Sequence, residues 1–263
     1  MPEIISSTSN PLIKQIRALR QRKGRQESGL FVVEGIHHVG EAIEAGWRIE
    51  ALVYAPDQLT SDFGRRLVDE QIQRQGRCAA LTSNLFEAVA DKDNPQGILA
   101  VVHQKKVALD EITHGHFHSA AALVSPQDPG NLGAILRSLD AVGGEGLFLL
   151  DGGVDPFHPV CVRASMGTIF WKTVVQASFD DFVKWARKNG CLLVGSSAHA
   201  KTDFRMFRNG GQPTILILGS EQKGLSQEQM AMCDETLSLP MRGRVSSLNL
   251  AVAAGILMYK IFE

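Results

Sequence analysis

The sequence lacks the features of several common protein classes. Its four cysteines are far apart and form no C-x-x-C pair, so the spacings of a zinc or redox site are absent. No apolar run approaches the roughly 18 residues that a membrane helix needs, and the N-terminus has no apolar signal core. His114, His116 and His118 alternate without a carboxylate or thiolate cluster, which favours a polar connector over a metal tract. We therefore expect a cytoplasmic protein that binds neither a metal nor a membrane.

Acidic and basic residues are almost balanced, but the basic ones are unevenly distributed. The 263 residues include 44% hydrophobic and 21% charged residues, as in ordinary globular proteins, and the net charge is −1. Such a chain still has local groups of cations, which neutralise phosphates even on a neutral protein, although a solvated helix face explains them equally well. The groups are Lys14, Arg17, Arg20, Arg22, Lys23 and Arg25, then Lys201, Arg205 and Arg208, and finally Arg242 and Arg244.

The first part of the chain, residues 1–104, has the pattern of a small α/β unit. Asn10 and Pro11 predict the start of an amphipathic helix that ends in the polar run from Gly24 to Ser28. Short apolar runs predict strands, and amphipathic segments predict the helices between them. The predicted strands are 29–35, 49–55 and 98–104, and the later helices are 37–46 and 64–76. The polar residues 105–119 are predicted to be a linker.

The second part, residues 120–263, alternates strand and helix more regularly. Near-continuous apolar strands that alternate with helices indicate a parallel sheet covered on both faces. The predicted fold class is therefore α/β, with a smaller N-terminal α/β domain and a larger parallel-sheet domain. The strands are predicted at 121–127, 146–151, 191–197, 214–220 and 236–240, and the helices at 130–143, 179–190 and 247–262.

Several glycine-containing motifs lack the context that their usual chemistry requires. The glycines within 143–153 follow a helix and precede a strand, which is the wrong order for a dinucleotide fingerprint. Lys223 and Gly224 lack the glycine spacing and the Ser or Thr of a phosphate loop, and Gly195 begins no nucleophile elbow. Hydride transfer, nucleotide hydrolysis and acyl transfer are therefore not indicated.

Polar residues gather in three segments of the second part: 128–137, 219–225 and 239–249. The first two follow predicted strands, and open α/β sheets build their sites just past the carboxyl ends of strands. Two glycines flank Glu221 in the second segment, which indicates that the backbone approaches something closely. In the third, Ser247 is predicted to cap the last helix. Singly, each segment has a plain structural explanation as a helix cap, a solvated helix or a turn.

The three segments in this order resemble the motifs of the SpoU family of RNA methyltransferases, within the SPOUT superfamily. They read DPGNLGAILRS, LGSEQKGLS and LPMRGRVSSLNLAVAAG, with RASMG at 163–167 between the first two. This resemblance covers 120–263, and residues 10–35 are similar to the family's substrate-binding domain, a fold related to ribosomal protein L30e. The resemblance implies S-adenosylmethionine as cofactor, a homodimer through the C-terminal domain, and a deep trefoil knot that threads the segments around 195–224 and 239–250.

The resemblance also implies roles for individual residues. Arg137 matches the arginine that the family places at the reacting ribose. Because a guanidinium is effectively always protonated, it suits phosphate positioning or oxyanion stabilisation better than proton abstraction. Glu221 is expected to hold Arg137 or Asn131 in place. The implied catalytic residues are Asn131, Arg137, Glu221, Ser247 and Asn249, and the implied cofactor contacts are Leu218, Gly219, Gly224, Leu239 and Leu248.

RNA recognition is expected to fall mainly to the first domain, with large-subunit rRNA favoured over tRNA. The alternatives are a tRNA-directed 2′-O-methyltransferase, a methylase of a base, a resistance methylase and a catalytically silent RNA binder. The ribose-directed reaction is favoured because Asn131, Arg137 and Asn249 are all present. The predicted RNA contacts are Lys14, Arg17, Arg20, Arg22, Lys23, Arg25 and Glu34.

Overall fold

The computed structural model describes residues 4–91, 94–112, 115 and 117–263, which form two compact units. The first unit contains the chain up to Lys105 together with Phe157–Trp171, and the second contains Lys106–Pro156 and Lys172–Glu263. No sequence pattern predicted that Phe157–Trp171, which interrupts the second unit, would belong to the first.

Helices and strands are numbered along the chain. The first unit contains β1 (Ile4–Ile5), α1 (Pro11–Leu19), α2 (Arg22–Ser28), β2 (Leu30–Glu34), α3 (Ile36–Glu44), β3 (Ile49–Tyr54), α4 (Asp62–Gln73), β4 (Cys78–Leu81), α5 (Ser83–Val89), β5 (Ile98–His103) and α7 (Pro159–Ala164). The second contains β6 (Ser119–Val124), α6 (Pro129–Ala141), β7 (Gly146–Leu150), β8 (Thr173–Ala177), α8 (Phe179–Lys188), β9 (Leu192–Ser196), β10 (Thr202–Asp203), β11 (Thr214–Leu218), α9 (Gln227–Ala231), β12 (Glu235–Ser238) and α10 (Leu250–Ile261).

The first unit is built on a mixed sheet in the order β1-β4-β3-β5-β2. Strand β5 pairs antiparallel with both β2 and β3, while β4 lies parallel to β3. The strands β1 and β4 and the helix α5 were not predicted. Each is short, and a run of two to seven residues is too short for hydrophobic periodicity to identify.

The basic segment near the N-terminus forms two helices. Helix α1 begins at Pro11 as predicted, with Asn10 as its cap. The predicted continuation of this helix to residue 24 is wrong, because the chain turns after Leu19 and starts α2. The cations of this segment therefore do not share one helix face.

Gly24 and Arg25 explain how the two helices fit together. A Cβ at Gly24 would lie 2.2 Å from the carbonyl oxygen of Ala18, so α2 approaches α1 as closely as only glycine permits. The Arg25 side chain is 1% exposed, and its guanidinium donates to the carbonyl oxygens of Leu19 at 2.9 Å and Arg20 at 3.0 Å. These carbonyls end α1 and have no partner within the helix. The burial of Arg25 is contrary to the expectation that it contacts RNA, because its guanidinium is directed into the unit.

Aromatic packing explains why Phe157–Trp171 belongs to the first unit. Phe157 lies against Phe31 with ring centroids 4.7 Å apart, and Phe170 meets Trp47 edge to face at 5.3 Å. The indole N–H of Trp47 also donates to the carbonyl oxygen of Phe170 at 2.9 Å. Rings of this size bury much apolar surface, so they hold the segment firmly against β2.

The second unit is a seven-stranded sheet in the order β10-β12-β9-β11-β6-β7-β8. All of its strand pairs are parallel, as predicted. Helices α6 and α10 pack on each other, and α10 also contacts β11. Phe148 of β7 packs against Phe182 and Trp185 of α8, with centroids 4.9 and 5.1 Å apart. The α/β fold class is confirmed. No helix among the described residues has both the length and the apolar character needed to cross a membrane.

We expect Arg25→Ala to lower the free energy of unfolding by about 2–4 kcal/mol, because two buried carbonyls lose a charged donor. Lys23→Ala in the same helix is the control, since that side chain is 84% exposed and should contribute less than about 0.5 kcal/mol. Urea unfolding followed by circular dichroism measures both variants. Equally small effects would show that Arg25 does not stabilise the α1–α2 turn.

Candidate functional site

The loops that follow β6 and β11 meet at the carboxyl edge of the parallel sheet. The two strands are hydrogen-bonded neighbours in parallel register. Asp128 ends the first loop and caps α6, where its carboxylate accepts a hydrogen bond from the Asn131 backbone N–H at 2.7 Å. Because neighbouring parallel strands end at one edge, the polar residues of both loops converge where open α/β sheets bind ligands.

Glu221, in the loop after β11, is the main link between these loops. Its carboxylate accepts hydrogen bonds from the backbone N–H groups of Gln127 at 3.2 Å and Asp128 at 3.4 Å. It also accepts one from Asn131 Nδ2 at 3.1 Å. A negative charge at this position is favourable because it faces the N-terminal end of the α6 dipole. Of the two partners considered for Glu221, it therefore contacts Asn131 and not Arg137.

Asn249 brings the third segment to the same place. Its Nδ2 donates to Asn131 Oδ1 at 2.9 Å, while its own Oδ1 accepts from the N–H groups of Ala251 at 2.9 Å and Val252 at 3.3 Å. Asn249 is thus the N-cap of α10. The prediction that Ser247 caps this helix is wrong, because α10 begins three residues later, at Leu250. Ser247 is exposed and makes no hydrogen bond within the described part of the chain.

We call the connected side chains of Asn249, Asn131 and Glu221 the Asn–Asn–Glu chain. It takes one residue from each of the three sequence segments. Each asparagine amide donates only one of its two N–H hydrogens to this chain. Two oriented N–H donors therefore remain available to a ligand.

The loop after β11 doubles back on itself at its two glycines. A Cβ at Gly219 would lie 2.0 Å from the carbonyl carbon of Gly224 and 2.2 Å from the Leu225 nitrogen. Gly224 has a φ of +65°, and its N–H donates to the Ser220 carbonyl oxygen at 2.9 Å. The close backbone approach predicted from these glycines is therefore the contact of the loop with itself.

This loop forms one wall of a cavity of about 670 Å³ in the second unit. That volume lies within the range of small-molecule and cofactor sites, roughly 300–1,000 Å³. The lining is partly apolar and partly backbone and hydroxyl groups. It includes Glu221, Ser247 and Asn249. It also includes all five residues implied as cofactor contacts, which are Leu218, Gly219, Gly224, Leu239 and Leu248.

The resemblance implied the knot segment 195–224 as a whole but no individual contact in its first part, which forms a further wall of the cavity through Ser196, Ser197, Ala198 and His199. This segment follows β9, which is the neighbour of β11 on the side away from β6. The signal that could have found it is positional, since the carboxyl end of a strand beside β11 must open onto the same edge.

Arg137 lies on α6, six residues beyond Asn131, which is about 9 Å along a helix axis. Its side chain is exposed and has no hydrogen-bond or ion-pair partner among the residues that the structure describes. It is not part of the cavity lining described above. Arg137 is therefore a cation without an ion-pair partner among the described residues, and it lies on the same helix as Asn131 of the Asn–Asn–Glu chain.

The residues predicted to bind RNA in the first unit fall into two groups. Arg20 is half-buried, donates to the Val89 carbonyl oxygen at 2.5 Å, and lies 3.8 Å from the Asp91 carboxylate. Glu34 is buried and accepts a hydrogen bond from the Asp91 backbone N–H at 2.7 Å. The burial of Glu34 is contrary to the expectation that it contacts RNA. The exposed cations of the set are Lys14, Arg17, Arg22 and Lys23.

No group of three or more potential metal ligands is found within residues 4–91, 94–112, 115 and 117–263. His114 and His116 of the alternating histidine tract lie outside the described residues. His118 is exposed, and its backbone N–H donates to Glu145.

The fold and the site define an α/β protein with a cofactor-sized cavity at the carboxyl edge of a parallel sheet. Comparison with known families identifies it further. The chain belongs to the SpoU rRNA methylase family, whose model matches residues 119–259. Residues 10–100 match the MRM3-like substrate binding domain. The family predicted from the three motifs is thereby confirmed.

Relatives resemble the chain over nearly its whole length. It is 33% identical over 261 residues to the 23S rRNA (uridine(2479)-2′-O)-methyltransferase of Streptomyces viridochromogenes, covering 97% of this chain and 90% of the relative. It is 30% identical to the 23S rRNA (guanosine(2553)-2′-O)-methyltransferase of Bacillus subtilis, covering 98% of both. The crystal structure of an AdoMet-bound rRNA methyltransferase from Sinorhizobium meliloti matches with a TM-score of 0.89 and 33% identity, covering 98% of this chain and 97% of that one.

We expect Gly219→Ala to lower the free energy of unfolding by about 1–3 kcal/mol, because its Cβ has no room in the folded loop. Gly243→Ala is the matched control, since no atom lies within 4 Å of its Cβ position. Urea unfolding midpoints of the two variants provide the comparison. If Gly219→Ala were as stable as Gly243→Ala, the loop would not need its glycine for its own closure.

Proposed function

We propose that this protein transfers a methyl group from S-adenosylmethionine to a ribose 2′-oxygen of large-subunit rRNA. The main support is the Asn–Asn–Glu chain, which holds two unused N–H donors beside a cofactor-sized cavity. Two relatives described above are 2′-O-methyltransferases of 23S rRNA, and a structural neighbour binds AdoMet. A tRNA-directed reaction is the second candidate.

The cavity suits this cofactor in size and in chemistry. Leu239 and Leu248 supply apolar surface, and the backbone at the exposed Gly224 is accessible because no side chain covers it. Leu218 and Gly219 also line the cavity but are themselves buried. When bound, S-adenosylmethionine supplies an electrophilic methyl group on a sulfonium. A backbone-lined cavity of this kind also explains why the sequence contains no dinucleotide fingerprint.

We assign orientation of the target ribose to Asn131, Asn249 and Ser247. The two asparagines each have one free N–H, fixed in direction by their hydrogen bonds to one another and to Glu221. The Ser247 hydroxyl has no partner within the described chain and lines the cavity. Fixed donors of this kind lower the barrier because they need not reorganise during the reaction.

We assign to Arg137 the stabilisation of the charge that develops at the ribose oxygen, or the positioning of the adjacent phosphate. Its guanidinium is permanently protonated, so it serves as a hydrogen-bond donor and cation and not as a base. Because no carboxylate of the described chain pairs with it, the full charge is available to RNA.

In the first unit, we propose that the exposed cations Lys14, Arg17, Arg22 and Lys23 bind RNA phosphates. The match to a substrate-binding domain over residues 10–100 supports this role. We also propose a cytoplasmic location, which an rRNA substrate supports.

We propose that α10 forms the interface of a homodimer. Val252, Ile256 and Tyr259 are 51%, 38% and 59% exposed, and their spacing of four and three residues places them on one helix face. The opposite face is buried through Ala254 and Leu257. A helix that is apolar on both sides requires a second partner for its outer face.

The trefoil knot stays a prediction. Its two implied segments, 195–224 and 239–250, both contribute to the lining of the cavity, which supports their close association.

The reaction is tested by incubating the protein with labelled S-adenosylmethionine and, separately, total rRNA or total tRNA, followed by nucleoside mass spectrometry. A 2′-O-methylated nucleoside from rRNA supports the proposal, and one from tRNA supports the second candidate. A methylated base would show that the ribose is not the target. Cofactor binding without any transfer would favour a catalytically silent RNA binder.

Arg137→Ala is expected to lower kcat by about 100-fold or more, as removal of a transition-state donor does. The Kd for S-adenosylmethionine should change less than about two-fold, since Arg137 does not line the cavity. Lys188→Ala removes another exposed cation of the second unit and serves as the control. Turnover close to that of the unaltered protein would exclude Arg137 from the mechanism.

Ile256→Asp is expected to convert the proposed dimer into monomers, because it places a charge in the apolar stripe of α10. Ile72→Asp, at a residue that is 44% exposed on α4, is the control and should leave the oligomeric state unchanged. Light scattering coupled to size-exclusion chromatography measures both. A dimer that persists in Ile256→Asp would place the interface elsewhere.

A further inference from the structure

Three exposed cations lie on the segments that lead out of the cavity wall, and none has a carboxylate within ion-pair distance in the described part of the chain. We call them the cationic rim: Lys201, Arg242 and Arg244. They come from two segments that are separate in sequence, one around β10 and one after β12.

Strand pairing brings these segments together. Strands β10 and β12 are parallel neighbours at the end of the sheet, with Thr202 opposite Leu237. The Ser238 hydroxyl donates to the Thr202 carbonyl oxygen at 3.2 Å, which reinforces the pairing. Lys201 directly precedes β10, and the loop with Arg242 and Arg244 follows β12, so the pairing of the two strands brings these segments to neighbouring positions.

The one acidic side chain of these segments is already neutralised. Asp203 accepts two guanidinium hydrogen bonds from Arg205. These bonds and the nearby charge of Arg242 lower the pKa of Asp203 to about 2. The sequence contains no Asp or Glu from 236 to 262. The positive charge of the rim is therefore left without a counterion from its own loops.

The rim is continuous with the cavity wall. His199, two residues before Lys201, lines the cavity, and so does Met241, which directly precedes Arg242. Ser246 and Ser247, just after Arg244, line it as well. Any polyanion bound on the rim would therefore lead directly into the proposed site of reaction.

We propose that the cationic rim binds the phosphates of the RNA strand next to the target nucleotide, so that the catalytic unit itself grips the substrate. This inference rests on the proposed function. Two of the three residues are arginines, whose planar donors match phosphate geometry. The rim provides a second RNA contact in addition to the exposed cations of the first unit.

The test compares two rim variants and one control by filter binding of 23S rRNA fragments over a range of salt concentrations. Arg242→Gln with Arg244→Gln removes the charges of the loop after β12, and Lys201→Gln removes the charge beside β10. Lys106→Gln with Lys188→Gln is the matched control, since these exposed cations of the second unit also lack carboxylate partners within the described residues. The Kd for S-adenosylmethionine is measured for each by calorimetry.

Arg242→Gln with Arg244→Gln should weaken RNA binding roughly ten-fold at 150 mM salt and reduce the salt slope by about 2, and Lys201→Gln should reduce the slope by about 1. The Kd for the cofactor should stay within about two-fold of that of the unaltered protein. Affinity and slope equal to those of the control would overturn the inference. If Arg242→Gln with Arg244→Gln also impaired cofactor binding, the second rim variant would decide, and its failure to weaken RNA binding would overturn the inference too.

Failure of the proposed function is separable from failure of this inference. The former would appear as absence of methyl transfer by the unaltered protein. The latter would appear in the variants alone, and it is read from RNA binding, which does not depend on turnover.

Discussion

The carboxylate of Glu221 joins the loop after β11 to the start of α6, and the rest of the site depends on that contact. Backbone N–H groups at a helix start have no partners within the helix, and Glu221 satisfies two amides just before and at the cap of α6. It also holds the Asn131 amide, whose oxygen then meets Asn249. Three segments that are distant in sequence are thereby ordered by one hydrogen-bond network at the carboxyl edge of the sheet, and the loops of two of them line the cavity.

Much of this architecture could be predicted because it depends on short-range sequence patterns. The strands of the second unit are continuous apolar runs, and the helices between them require a parallel sheet. The helix predicted at 130–143 starts one residue after the observed start of α6, whose cap Asp128 and first residue Pro129 are of the types usual at a helix start. Parallel strands end at a common edge, so the convergence of segments 128–137 and 219–225 followed from the predicted order of elements alone.

Other features depend on contacts that no local pattern contains. Ser247 and Asn249 are both good helix caps, and only the path of the folded chain selects Asn249. An arginine in a polar run looks the same whether it faces solvent or, like Arg25, folds onto carbonyl oxygens. The segment Phe157–Trp171 joins the first unit through Phe31 and Trp47, which are far away in sequence. Such long-range packing leaves no periodic pattern in the sequence from which it could be predicted.

The position of Asn249 links two properties of the molecule that would otherwise be independent. Its oxygen starts α10, while its amide nitrogen orients Asn131. A rotation or shift of α10 therefore moves a donor of the reaction site by the same rigid connection. A partner bound to the outer face of α10 would change the position of that donor. Association at α10 and the geometry of the reaction site would then be thermodynamically coupled. An assembled molecule and an isolated chain would differ in how well the site is set, even with identical residues in it.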